Sequence, residues 1–151
     1  MKEAYLKLQK EFDLPPFEGM DQEFEITSIE AETFLIREIL KRMENRLDYL
    51  SSILEEILQP SPESVTQMHE CRYVTNEEKE RLFAIFKRLQ YWLRAIVEAH
   101  VRAEDKKSAQ LINDINTEWK QIKEQSLPFI SRLKESWKLD DELKEYVEYF
   151  G

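Results

Sequence analysis

The strongest constraint on this chain is a run of apolar residues stepped alternately by four and three positions. It passes through Ile29, Thr33, Ile36, Leu40, Met43, Leu47, Leu50, Leu54 and Ile57, with Thr33 its single polar member. Steps of this kind keep one face of an α-helix apolar, and an extended strand, whose faces alternate every second residue, has no use for them. Leu35, Ile39, Tyr49 and Ile53 widen the stripe beyond a two-stranded coiled-coil seam, which points to a helix packed among several others. Thr27 stands three residues before Glu30, the spacing of a reciprocal capping box. Pro60 and Pro62 follow the last seam residue and stop a helix, so the pattern predicts a helix over residues 27–58.

A second seam repeats the logic. Thr75 and Glu78 form another capping box, followed by Leu82, Phe86, Leu89, Leu93, Ile96, His100 and Ala103, broadened by Ile85, Trp92 and Val97. The helix predicted over 75–103 pairs with the first as a long antiparallel hairpin, joined by an irregular connection over 59–74. Ahead of the hairpin, Tyr5, Leu8 and Phe12 fall at helical spacing, and the adjacent Pro15 and Pro16 break that helix. Met20 to Ile26 shows no clear period and reads as an extended lead-in, so 1–26 is an N-terminal helix with its lead-in.

After Ala103 the apolar set slips one position and resumes at Leu111, Ile112, Ile115, Trp119 and Ile122. Two readings fit: a turn near 104–108 with Asp105 or Ser108 as the new cap, or one very long helix whose buried face rotates. Ser126-Leu127-Pro128 reads as a fresh helix start running through Phe129, Leu133 and Trp137. Asp140 is expected to cap a last short helix carrying Leu143, Tyr146, Val147 and Phe150, which places the C-terminal helices over 108–151. No strand alternation of useful length appears, nor a repeat of solenoid length. The fold class expected is all-α: one domain over residues 1–151, an antiparallel bundle of four to five helices without a β-sheet.

Composition narrows the function. No apolar run approaches the roughly 18 residues that a membrane span needs, and no basic and apolar leader opens the chain. One cysteine leaves no disulfide framework and no cysteine-based zinc site, and two glycines leave almost no room for a phosphate-cradling loop. Eight Phe, six Tyr and three Trp are too much aromatic mass for a disordered acidic chain. A soluble, cytoplasmic helical protein is expected.

No constellation points to catalysis, a cofactor or a metal. Carboxylate-bridged di-iron bundles need Glu-x-x-His pairs, but the residues three before His69 and His100 are Thr66 and Val97. His100 reads as a core histidine on the seam, and His69 as a loop residue. Cys71 has Glu70 beside it, which works against a reactive thiolate. The acidic clusters Glu77-Glu78 and Asp140-Asp141-Glu142 open helices, where negative charge complements the dipole.

Charge is unevenly spread. The net charge of −9 divides into −7 over residues 1–59, +1 over 60–108 and −3 over 109–151. Arg81, Arg88 and Arg102 recur at multiples of seven, with Lys87 and Arg94 beside them, as a basic stripe on the second seam helix. Ion pairs with Glu30, Glu44 or Glu55 of the neighbouring helix are the first explanation, and a docking strip for an acidic partner or a phosphate backbone the second. The overall field repels nucleic acid, so direct tight binding to it is not expected. Tyr5, Phe17, Phe24, Trp137, Tyr146, Tyr149 and Phe150 crowd the two ends, either as core staples or as partner anchors.

The segments Phe34-Leu-Ile-Arg-Glu-Ile-Leu-Lys-Arg-Met-Glu-Asn-Arg46 and Val74-Thr-Asn-Glu-Glu-Lys-Glu-Arg-Leu-Phe-Ala-Ile-Phe86 resemble the helical domain of archaeal GINS-type replication subunits. The likeness rests on a helix with repeated Arg and Lys, a loop, and a Thr-x-Glu-Glu helix start. It implies a non-catalytic scaffold subunit that assembles through helix faces. It covers under half the chain, and that family's small β domain has no counterpart in residues 105–151, which read as helix. The function expected from the residues themselves is a non-enzymatic interaction or assembly module. Its partner is a protein, a second copy included. The candidate contact residues are Arg81, Lys87, Arg88, Arg94, Arg102, Trp137, Tyr146, Tyr149 and Phe150. The rival from another class is a helical enzyme dependent on a metal or a nucleotide.

Overall fold

The computed structural model describes residues 1–139. The expected helix at Asp140, with Tyr146, Tyr149 and Phe150, lies outside them. Six α-helices follow one another: α1 Lys2–Phe12, α2 Phe17–Phe24, α3 Leu35–Leu58, α4 Val65–Cys71, α5 Asn76–Arg102 and α6 Asp105–Ser136, with a single 3-10 turn at Ile26–Ser28. Among the described residues there is no strand, so the all-α class holds. No helix among them is long and apolar enough to cross a membrane. The described residues divide into two compact units, residues 1–49 with 89–121 and residues 50–88 with 122–139.

The first unit is built around α1, α2 and the adjoining parts of the long helices. Its core contains Tyr5, Phe17, Met20, Phe24, Ile26, Ile39, Leu40, Met43, Leu47, Ile96, Ile112 and Ile115. The stretch expected to be extended is helix α2, because Phe17, Met20 and Phe24 fall on one helical face and bury it. The helix expected from residue 27 begins instead at Leu35. Asp21 takes the Thr27 amide at 2.7 Å, and Ser28 Oγ donates to the Glu25 carbonyl, so the Thr27–Glu30 box is not made. Phe34, with φ 56°, sets the chain direction before α3 starts. From Ile36 to Ile57 every seam position is buried, as the 4-3 pattern requires; Tyr49, expected to widen it, is exposed.

The second unit gathers the end of α3, α4, the start of α5 and the end of α6. Its buried residues include Leu54, Ile57, His69, Val74, Leu82, Ile85, Ile122, Ser126 and Leu133. The connection expected to be irregular holds helix α4, started by Ser64, whose hydroxyl accepts the Gln67 amide at 3.2 Å. The second capping box forms as its spacing demands: Glu78 Oε1 accepts the Thr75 amide at 3.1 Å and Thr75 Oγ1 accepts the Glu78 amide at 3.2 Å. Glu78 is also paired with Arg132 of α6.

The two readings of residues 104–108 resolve into a turn. Ala103 adopts φ 53°, a left-handed helix end made without glycine, and α6 starts at Asp105. The fresh helix expected at Ser126 does not exist, because α6 runs straight through Pro128. Proline has no N–H for the carbonyl of Glu124, four residues earlier. Leu127 and Pro128 are exposed, so water reaches that side of the helix. On the buried side, Ser126 Oγ donates to the Ile122 carbonyl at 2.6 Å.

Candidate interaction face

Helix α5 has two apolar faces. At about 100° per residue, Leu82, Ile85, Leu89, Ile96 and Ala99 share one side, and all five are buried. Phe83 and Val101 are eighteen residues apart, which is five full turns, so they point the same way. With Lys87, Tyr91, Arg94, Val97 and Glu98 they form a stripe roughly opposite the core, and every member is exposed. Phe83 keeps 48% of its surface, Tyr91 66%, Val97 42% and Val101 81%. Lys87 Nζ lies 5.3 Å from the centroid of the Phe83 ring, and Tyr91 meets Trp92 edge-on at 4.9 Å. Val97, expected in the core, therefore belongs to the outer face. The seam bends towards Ala99, while His100 is only half-buried and Ala103 is exposed.

The predicted basic stripe resolves into separate roles. Lys87 and Arg94 stand on the outer face. Arg88 donates to Gln125 Oε1 at 3.0 Å, and Arg102 donates to Glu98 Oε1 at 3.4 Å on the same helix. Arg81 and Arg94 make no ion pair among the described residues, so the expected pairing with Glu30, Glu44 or Glu55 fails for them. A seven-residue spacing falls about 20° short of two full turns, and the single steps to Lys87 and Arg94 add about 100°. Five cations on one helix thus fan around it instead of forming one line.

The terminal aromatics separate in the same manner. Tyr5, Phe17 and Phe24 are core residues. The Tyr5 hydroxyl donates to the Pro15 carbonyl at 2.6 Å, and burial pushes its pKa above the usual phenol range. Phe24 lies 6.2 Å from Trp119, whose Nε1 donates to Glu23 Oε2 at 2.7 Å. Trp137 is half-exposed yet anchored, its ring 4.0 Å from His69 and its Nε1 donating to Glu70 Oε2 at 3.2 Å.

His69 is a buried member of α4, not a loop residue. Its Nε2 lies 3.2 Å from the Ser136 carbonyl, which only accepts, so that nitrogen carries the proton. Cys71 donates to the Met68 carbonyl at 3.3 Å. His100 Nε2 is buried without a hydrogen bond, 3.9 Å from Glu44 Oε2. No group of three or more metal-capable side chains assembles among the described residues.

One sizeable cavity lies in the first unit, about 690 Å³, lined by Ala4, Leu8, Glu32, Phe34, Leu35 and Ile36 among others. Phe34 combines an exposed ring with its positive φ, and the Arg37 guanidinium lies 4.5 Å from the ring centroid.

Sequence reasoning named Lys87 and Arg94 but passed over Phe83, Tyr91, Glu98 and Val101. A second apolar phase on α5, half a turn from the seam, was the signal that would have found them. No protein-family model, curated protein or solved structure matches this chain.

Proposed function

We propose that this chain is a non-enzymatic helical-bundle interaction module that works through protein–protein contacts, with a second copy of itself among its partners. The observation that supports this reading is the outer face of α5: four large apolar side chains stand in solvent on the side of the helix away from its own core. Scattered single apolar residues on a surface need no explanation. A row of them in helical phase, interleaved with charges, has the composition of a docking face. Binding is apolar helix-to-helix contact, with Lys87, Arg94 and Glu98 setting register.

The test compares the protein with Val101→Glu, which places a charge at the most exposed point of the row. The melting curve should not move, whereas every protein association of the chain, with itself or with another, should weaken. Associations that survive the substitution would refute the reading. A thermal-shift screen with divalent metals and nucleotides separates the enzymatic rival: tight stoichiometric metal would overturn the non-enzymatic assignment.

A further inference from the structure

The order of residues along the outer face of α5 carries information beyond its exposure. Read from Phe83, the row is Phe83, Lys87, Tyr91, Arg94, Glu98, Val101, with Val97 at its edge. Reversed about the midpoint between Trp92 and Leu93, the same row complements itself. Lys87 falls opposite Glu98 and Tyr91 opposite Arg94, while Phe83 comes within one residue of the position opposite Val101. At 1.5 Å per residue, Phe83 and Val101 lie roughly 14 Å and 13 Å on either side of that midpoint, and Lys87 and Glu98 roughly 8 Å. Lys87, Tyr91 and Glu98 stand along one edge of the row, and in an antiparallel helix pair equivalent edges face each other.

We propose that the occupant of this face is a second copy of the same chain, docked α5 to α5, antiparallel, with the two-fold axis passing between Tyr91 and Arg94. The inference rests on the reading of α5 as a docking face and adds its partner and register. A two-fold interface must be self-complementary, each residue meeting its counterpart twice. Here the symmetry yields two Phe83–Val101 contacts, two Lys87–Glu98 ion pairs and two placements of the Arg94 guanidinium against Tyr91, a favourable cation–π arrangement. Glu98 decides against a purely acidic partner, because it would repel one. It already accepts from Arg102 on its own helix through Oε1, which leaves Oε2 for Lys87 of the second copy. One helix face per copy is a small interface, so the dimer forms and dissociates with concentration.

Sedimentation velocity over a concentration series tests this. The full chain should pass from monomer to dimer with a Kd of about 10–100 µM. Lys87→Glu should weaken the dimer about tenfold or more, since two attractions become two repulsions. Glu98→Lys should weaken it similarly, and the double exchange Lys87→Glu with Glu98→Lys should restore it. Circular dichroism checks that each variant stays helical, which exposed helix positions allow.

A monomer at every concentration, or a dimer indifferent to both exchanges, overturns the proposal. So does failure of the double exchange to restore association. If the face instead takes an acidic partner, Lys87→Glu weakens that complex while Glu98→Lys tightens it. The dimer proposal then fails and the docking reading stands. Loss of neither association with Val101→Glu would sink the docking reading itself.

Discussion

Glu78 offers the sharpest test of how this fold is held. The side chain is buried and has two duties: one oxygen accepts the Thr75 amide at the start of α5, and the other is paired with Arg132 of α6. Removing a helix cap costs about 1 kcal/mol. The Arg132 partner is 46% exposed, so solvent screening holds the ion pair to about 1 kcal/mol at most. Glu78→Ala should therefore cost about 2 kcal/mol in urea unfolding followed by circular dichroism, or roughly 4–8 °C in Tm at this chain size. Glu78→Gln keeps an oxygen for the Thr75 amide and loses the charge, so it should cost about half as much. Thr75→Ala, which removes only the reciprocal half of the box, should cost about 1 kcal/mol. A double-mutant cycle of Glu78→Gln with Arg132→Gln should return a coupling of about 0.5–1 kcal/mol. Two results would refute the reasoning: a Glu78→Ala loss below about 0.5 kcal/mol, or equal losses for Ala and Gln.

Three further outcomes follow from single sites. Leu54 is fully buried on the α3 seam, so Leu54→Ala should lose about 2–5 kcal/mol by denaturant titration; a cost below about 1 kcal/mol would mean the site is not core. His100 has a buried nitrogen with no hydrogen bond, so His100→Leu should leave Tm equal or higher, and a clear fall would show that the contact with Glu44 is stabilising. Hydrogen bonds from Thr27 hold the Asp21 carboxyl below its ordinary pKa. Because that folded-state value is depressed, its contribution is present above the unfolded-state pKa and fades as pH falls through the folded one. Asp21→Asn should therefore flatten the acid limb of a Tm-against-pH curve, and an unchanged limb would count against the Asp21–Thr27 contact.

The Thr75–Glu78 box was legible because every group it needs lies within four residues. The failed box at Thr27 has the same spacing, yet Asp21, on a helix that the sequence did not announce, captures the amide first. α2 was readable in principle from Phe17, Met20 and Phe24, but eight residues flanked by proline gave too short a window. The candidate face shows the same division. Lys87 and Arg94 were visible as charge, whereas Tyr91, Val97 and Val101 look like ordinary core material until their side of the helix is known.

By itself, then, the sequence determined that this chain is helical and where its strongest apolar stripe runs, because the 4-3 step is a property of one helix and needs no neighbour. It also determined where α3 stops, ahead of Pro60 and Pro62, but left residues 104–108 open between a turn and one continuous helix. Tertiary structure alone decided which of two apolar phases on α5 is covered, since burial depends on what packs against a helix. It also decided that α6 continues through Pro128. A proline whose carbonyl partner faces solvent costs far less than one whose partner is buried, and that facing is not written in the local sequence.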